Sequence, residues 1–192
     1  MRVLFDTHFM LEKVIIEPGE YHTADNSRVI FTILGSCIAV CLKDEQTGLC
    51  GMNHFMLPAA GSIEDKPEKD WGKYGVQAMN MLIREMVVRG ASKNRLWAKV
   101  FGGGQVLRMS AEGRAGNVSR SNIEFAERFL DENNIPILGK DVGGTQGRKI
   151  HFFTRDGRVA VEKLEKSLAV QVVKQEATYK LKLSMGARGP KR

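Results

Sequence analysis

Cysteine is scarce in this chain of 192 residues, which contains only three: Cys37, Cys41 and Cys50. An odd and sparse set does not build a disulfide framework. A zinc site is also disfavoured, because Cys37 and Cys41 have the spacing of a strand rather than that of a CxxC loop, and no second pair of ligands follows. We therefore expect no disulfide, no metal and no cofactor.

Long apolar runs are absent as well. No stretch approaches the roughly 18–20 apolar residues that a membrane-spanning helix needs. Asp6 and Glu12 interrupt the N-terminal segment, and no long apolar region follows Arg2, so a secretory signal is not expected. These features predict a cytoplasmic protein that does not insert into membranes.

The positive charge is unevenly distributed. The net charge is +7, of which residues 163–192 supply +6 from eight Lys and Arg against two Glu, while residues 1–162 supply +1 from 21 Lys and Arg against 20 Asp and Glu. A basic tail can be attracted to acidic surfaces, but no zinc finger, helix-turn-helix or aromatic-basic pattern indicates nucleic-acid binding. The sequence predicts one domain over residues 1–165 and a basic, partly flexible extension over residues 166–192.

Periodicity in the middle and C-terminal parts of the chain predicts an α+β fold. Helical spacing of apolar residues predicts one helix at residues 72–89 and a second from Ile123 onward, after a polar stretch at 117–122. Strands are predicted at 96–101, 135–142, 149–154 and 158–162, and the glycine-rich segment 143–148 is interpreted as a hairpin turn. Several hairpins and only two clear helices favour a sandwich in which helices cover antiparallel sheets.

Two glycine-rich segments, at residues 102–104 and 143–148, invite comparison with phosphate-binding loops. Neither ends in Gly-Lys-Ser/Thr, and the triplet at 102–104 does not fit GxGxxG. The triplet at 102–104 is better explained as a turn where backbone passes close to another segment.

The most informative stretch is a predicted β-hairpin at residues 29–57. An apolar strand is broken by Gly35-Ser36 before Cys37, and a second apolar strand returns through a polar turn toward His54. If Lys43 pairs with Gly48, then Cys37 lies directly opposite His54. Opposed residues point to the same face, so a thiol and an imidazole could share a proton there.

Cysteine attacks only as the thiolate, and a neighbouring imidazole can take its proton. The Gly35-Ser36 turn would supply backbone N–H groups for a developing oxyanion, and Thr32 or Ser36 could orient the imidazole. A lone cysteine in an apolar strand is more often a small buried side chain, which is how we interpret Cys41 and Cys50. His8, His22 and His151 have no cysteine partner by sequence arithmetic, although each could approach Cys37 in the fold.

Several blocks of this sequence resemble, in the same order, those of the chemoreceptor glutamine deamidase family, CheD. The resemblance spans residues 10–162 and is most specific at the pair of blocks around Cys37 and His54. The blocks are LGSCIAVCL, GMNHFMLP, KVFGGG, Gly116-Asn117 and DVGGTQGRKIHF.

The resemblance implies a protein-glutamine deamidase with Cys37 as nucleophile, His54 as base and then acid, and Thr32 as the third catalytic residue. It implies a layered α/β/β/α sandwich similar to the catalytic domain of the cytotoxic necrotizing factor toxins. The implied substrates are cytoplasmic helices of methyl-accepting chemotaxis receptors, and the implied partner is a phosphatase of the CheC type.

Two alternatives stay open at this point. The chain could be a non-catalytic module that regulates a CheC-type phosphatase, in which case Cys37 would be an ordinary buried thiol. The same pair of residues could also serve a thiol protease or a transglutaminase, which would cleave peptides or incorporate amines rather than release ammonia alone.

Overall fold

The structure is a computed structural model, and it describes residues 1–25, 27–56, 71–106 and 114–165, together with Val172, Glu176 and Thr178. The loop predicted at residues 59–70 lies outside the described residues. So does most of the predicted C-terminal extension, including its proposed flexibility and the strand or turn considered at 168–173.

The described chain contains ten strands, two α-helices and a short 3₁₀ helix at Lys93–Arg95. The strands are β1 (Arg2–Asp6), β2 (Leu11–Ile15), β3 (Tyr21–Ala24), β4 (Arg28–Leu34), β5 (Ile38–Asp44), β6 (Cys50–Asn53), β7 (Leu96–Gly102), β8 (Ile137–Val142), β9 (Arg148–Phe153) and β10 (Val159–Lys163). The helices are α1 (Trp71–Val88) and α2 (Arg114–Glu132). The predicted α+β class is confirmed.

The strands form two five-stranded sheets. The first sheet has the order β1-β2-β4-β9-β10, and the second has the order β3-β6-β5-β7-β8. Each sheet is antiparallel except for one parallel pair, β2 with β4 in the first and β7 with β8 in the second. The chain crosses from the first sheet to the second between β4 and β5, at Gly35-Ser36-Cys37.

Two apolar layers hold these elements together. One layer lies between the second sheet and the helices, and it includes Val40, Leu82 and Leu130. The other lies between the two sheets, and it includes Leu34 and Ile150. Strand β5 is buried along its whole length because it contributes to both layers, which explains its nearly continuous apolar sequence.

Helix α1 agrees closely with the prediction for residues 72–89. Met79, Leu82 and Met86 recur at helical spacing and are fully buried against the second sheet. The helix ends before Gly90, whose φ of 105° favours glycine.

The structure shows three of the four layers of the predicted α/β/β/α sandwich, namely the two sheets and one layer of helices. Both helices pack mainly on the second sheet, and among the described residues no helix covers the outer face of the first sheet. The fourth layer and the likeness to the cytotoxic necrotizing factor domain therefore stay predictions.

Three local predictions were wrong. In the β5–β6 hairpin Lys43 pairs with Cys50 rather than with Gly48, so the predicted register is off by two residues. The segment predicted as a hairpin turn at 143–148 is not one, because the chain there passes from β8 in the second sheet to β9 in the first. The polar stretch at 117–122 belongs to α2, which begins at Arg114.

No helix in the described part of the chain combines the length and the apolar character needed to cross a membrane.

Candidate active site

Cys37 lies at the end of the crossing from β4 to β5, and its side chain is fully buried. Each of the three carbonyl groups of this crossing accepts a hydrogen bond from a neighbouring segment. The N–H of Gly103 donates to the Cys37 carbonyl at 2.8 Å, that of Gly104 donates to the Gly35 carbonyl at 2.6 Å, and Asn122 Nδ2 donates to the Ser36 carbonyl at 2.8 Å. The crossing is therefore clamped between the glycine triplet at the end of β7 and helix α2.

The glycine triplet is required by this close approach. Gly102 has a φ of 116°, and a Cβ atom built there would lie 2.1 Å from the Cys37 carbonyl oxygen. Any side chain would push the crossing away, so the triplet acts as the predicted turn that lets backbone pass the Cys37 segment. The buried guanidinium of Arg148 also hydrogen-bonds the carbonyls of Gly102 and Gly143, which fixes the turn from the other side.

His54 follows β6 and points into the space between the sheets, where it meets Thr32 of β4. The Thr32 hydroxyl oxygen lies 2.7 Å from His54 Nδ1 and 2.8 Å from the carbonyl oxygen of Ile16. The hydroxyl has one proton, and the carbonyl can only accept a hydrogen bond. Both contacts are satisfied when the hydroxyl donates to Ile16 and accepts from Nδ1–H. This arrangement leaves Nε2 with a lone pair.

Cys37 and His54 lie on the same face of the second sheet. Cys41 pairs with Met52, and the bridge between Ile38 and Phe55 keeps the same register beyond Asn53. Cys37 is therefore diagonal to His54 rather than directly opposite it. Diagonal neighbours have Cα atoms about 7–8 Å apart, within reach of longer side chains. Because the register error is an even number of residues, the predicted face is retained.

Burial governs the protonation of His54. Its ring is 2% exposed, and burial lowers its pKa to about 3. The imidazole is therefore neutral near pH 7, as a general base must be before it accepts a proton. Within the described residues, His54 Nε2 has no hydrogen-bond partner.

The other histidines are placed elsewhere. His151 on β9 packs against Phe31 and Phe9. Position 31 alternates with Thr32 along β4, so this cluster lies on the outer face of the first sheet. His22 is on β3, and His8 is exposed in the turn between β1 and β2.

Cys41 and Cys50 are buried thiols between the sheets. Burial raises the pKa of Cys41 well above its usual range and that of Cys50 to about 12. The Cys50 thiol donates to the Thr154 carbonyl at 3.1 Å. Both are inert near pH 7, in keeping with their predicted role as small core residues. No cluster of three or more His, Cys, Asp or Glu side chains in the described part of the chain could hold a metal ion.

Glu176 was not anticipated at this site. Its Oε1 accepts hydrogen bonds from the N–H groups of Gly35 and Cys37, each at 3.1 Å, and its Oε2 accepts from the Ser36 hydroxyl at 2.7 Å. Ser36, a predicted candidate for orienting His54, therefore binds Glu176 instead. Nothing in the sequence around Glu176 signals this contact, because it joins residues about 140 positions apart.

Asn122 was also missed, although the sequence contains a signal for it. Val118, Asn122, Ala126 and Leu130 recur at spacing four on one face of α2, and all are buried. A polar side chain in the middle of an apolar stripe must have a partner. The prediction that α2 begins near residue 123 hid this pattern.

Comparison with known proteins identifies related chains. Residues 56–163 match the family model described as CheD chemotactic sensory transduction. A protein of Chromobacterium violaceum named probable chemoreceptor glutamine deamidase CheD 2 is 41% identical over 187 residues, which are 97% of this chain and 90% of that protein. A probable chemoreceptor glutamine deamidase CheD 1 of Dechloromonas aromatica is 42% identical over 180 residues, or 94% of this chain and 87% of that protein.

Proposed function

Because this chain belongs to the CheD family, we propose that it is a protein-glutamine deamidase acting on chemoreceptors. It converts glutamine side chains to glutamate and releases ammonia. The names of the relatives in Chromobacterium violaceum and Dechloromonas aromatica, which align with nearly the whole chain, support this assignment.

The observation that carries the mechanism is the hydrogen-bond chain from His54 Nδ1 through the Thr32 hydroxyl to the Ile16 carbonyl. It holds the imidazole in the tautomer whose Nε2 can accept a proton. His54, which carries Nε2, lies on the same face of the second sheet as Cys37. Thr32 is thus a positioning residue, which acts through His54.

The reaction proceeds in two halves. His54 Nε2 takes the proton of the Cys37 thiol, and the sulfur attacks the carbon of the substrate carboxamide. The N–H groups of Gly35 and Cys37 stabilise the oxyanion, since both already converge on one carboxylate oxygen. The imidazolium returns its proton to the departing nitrogen, ammonia leaves, and a thioester remains. Water, deprotonated by His54, then hydrolyses the thioester to glutamate and restores the thiol.

The substrates would be cytoplasmic helices of methyl-accepting receptors. The enzyme would therefore act in the cytoplasm. Residues 1–165 would form the catalytic domain, with a basic extension over 166–192. A CheC-type phosphatase is a further proposed partner.

The test is receptor deamidation by Cys37→Ala protein, because the proposal makes this sulfur the nucleophile. Purified receptor cytoplasmic fragment is incubated with each variant, and ammonia release and conversion of Gln to Glu are followed by coupled assay and mass spectrometry. Cys37→Ala should abolish both. Cys41→Ala is the matched control, since it removes a buried thiol four residues along the chain that packs in the same layer between the sheets, and it should retain activity.

Other outcomes separate the alternatives. Full activity in Cys37→Ala would refute the mechanism. Peptide cleavage or amine incorporation by the wild-type protein would indicate a protease or a transglutaminase. Binding to a CheC-type phosphatase without ammonia release from any receptor would indicate a regulatory module.

A further inference from the structure

A carboxylate already occupies the position where the mechanism needs an oxyanion. Oε1 of Glu176 lies 3.1 Å from the backbone nitrogens of both Gly35 and Cys37. Its Oε2 takes a third hydrogen bond from the Ser36 hydroxyl. All three donors belong to consecutive residues of the crossing that presents the nucleophile.

The crossing is shaped to admit this carboxylate. A Cβ atom at Gly35 would lie 2.8 Å from Glu176 Oε1 and 3.0 Å from Val172 Cγ1, so a larger residue there would crowd both side chains. Glu176 and Val172 are 8% and 3% exposed, which shows that the contact is buried rather than a surface encounter. The carbonyls of the same crossing are bonded on the opposite side by Gly103, Gly104 and Asn122, so its N–H groups are held ready for an acceptor.

We propose that residues 35–37 form a binding site for the side-chain carboxylate of a glutamate, and that Glu176 fills it in cis as a mimic of the reaction product. The inference rests on the proposed function, whose product is a glutamate side chain. It adds that Glu176 inhibits the resting enzyme by occupying this site.

The chemistry favours glutamate as the occupant. A carboxylate accepts charge-assisted hydrogen bonds, which are stronger than those of a neutral carboxamide. It also has no ammonia to lose, so the nucleophile cannot consume it. Because Glu176 is part of the same chain, its effective concentration at the site is high, and a substrate glutamine must displace it before reacting.

The experiment compares wild-type protein, Glu176→Ala and Glu165→Ala. Glu165 is exposed, so its variant removes the same charge close by along the chain without touching the site. The first measurement is the rate at which iodoacetamide alkylates Cys37, followed by peptide mass spectrometry. The second is kcat/KM for deamidation of a receptor fragment. Glu176→Ala removes the carboxylate and its charge-assisted hydrogen bonds, which empties the site. The alkylation rate and kcat/KM should therefore both rise by at least about tenfold. Both should keep their wild-type values in Glu165→Ala.

The two claims fail in different ways. If Glu176→Ala matches Glu165→Ala in both measurements while receptor is deamidated, the inference is wrong and the proposed function stands. If alkylation accelerates in Glu176→Ala but no variant deamidates receptor, the site is blocked by Glu176 as inferred and the proposed function is wrong. Slower deamidation in Glu176→Ala would also overturn the inference, because it would make Glu176 a supporting group rather than a competitor.

Discussion

A single hydroxyl proton sets the chemistry of the proposed base. Thr32 lies on the first sheet, and its hydroxyl bonds both His54 Nδ1 and the Ile16 carbonyl. Valine has nearly the same shape as threonine but has no hydroxyl. Replacing Thr32 by valine would leave a buried Nδ1–H without an acceptor, which favours the other tautomer and blocks Nε2 with a proton.

We therefore expect Thr32→Val to lower kcat/KM for receptor deamidation by roughly tenfold to a hundredfold, as the loss of one buried hydrogen bond implies. Thr32→Ser retains the hydroxyl and should recover most of the activity. Circular dichroism and thermal unfolding would check that both variants fold. Equal losses in the valine and serine variants would show that Thr32 acts through packing and not through its hydrogen bond.

The crossing between β4 and β5 depends on the glycine triplet at the end of β7. Gly102 has a positive φ, and its Cα faces the Cys37 carbonyl at a distance that admits no side chain. Gly90 offers a matched comparison. Its φ is 105° against 116° for Gly102, and a Cβ atom there would meet nothing within 4 Å.

Gly90→Ala should therefore lower the free energy of unfolding by about 1–2 kcal/mol, the usual strain of a left-handed conformation in a residue with a side chain. Gly102→Ala should lower it further and also reduce deamidation, because the crossing must move away from the new methyl group. Urea unfolding and receptor assays on both variants would measure this. Equal stability and full activity in the two variants would contradict the proposed clamp.

The β5–β6 hairpin shows which part of an element can be predicted. Its two strands and its polar turn follow from alternation and composition, but the register does not. The side chain of Asp44 accepts from the N–H groups of Gln46 and Thr47, and Asp44 itself pairs with Leu49 across the loop. The predicted turn was placed one residue too early, which moved the pairing by two. The shared face of Cys37 and His54 survived only because the error was even.

One buried and two half-buried histidines couple the stability of the fold to pH. The pKa of His54 falls to about 3 in the folded protein, whereas an unfolded histidine has a pKa near 6.5. Burial also lowers the pKa values of His22 and His151. In the interval between about pH 6.5 and pH 3 the unfolded chain binds more protons at His54, so stability present above that interval is lost as the pH falls.

His54 alone should contribute a loss of about 2 kcal/mol between pH 6.5 and pH 5, since each pKa unit corresponds to about 1.4 kcal/mol. Urea unfolding at about pH 7.5 and about pH 5 would measure it. His54→Gln should show a smaller loss than the wild-type protein, and His8→Gln, a change at an exposed position, should retain the wild-type loss. An identical loss in His54→Gln would mean that His54 is not kept neutral by burial.

Global topology was the least predictable feature, because it depends on pairings between distant segments. Alternating apolar residues and two helical periods indicate an α+β class. They do not show that β4 pairs with β9 more than 100 residues later, or that β8 and β9 belong to different sheets. The contact of Glu176 with the Cys37 segment has the same origin, since no local pattern records a partner so far away.

The proposed catalytic groups are divided between the two sheets. Thr32 belongs to the first sheet, His54 follows a strand of the second, and Cys37 is on the segment that links β4 in the first sheet to β5 in the second. These groups meet only where the two sheets pack against each other, so strands without that packing would not form the proposed site. Catalytic competence would then arrive only with the final consolidation of tertiary structure, so that an immature or damaged molecule could not alter a receptor.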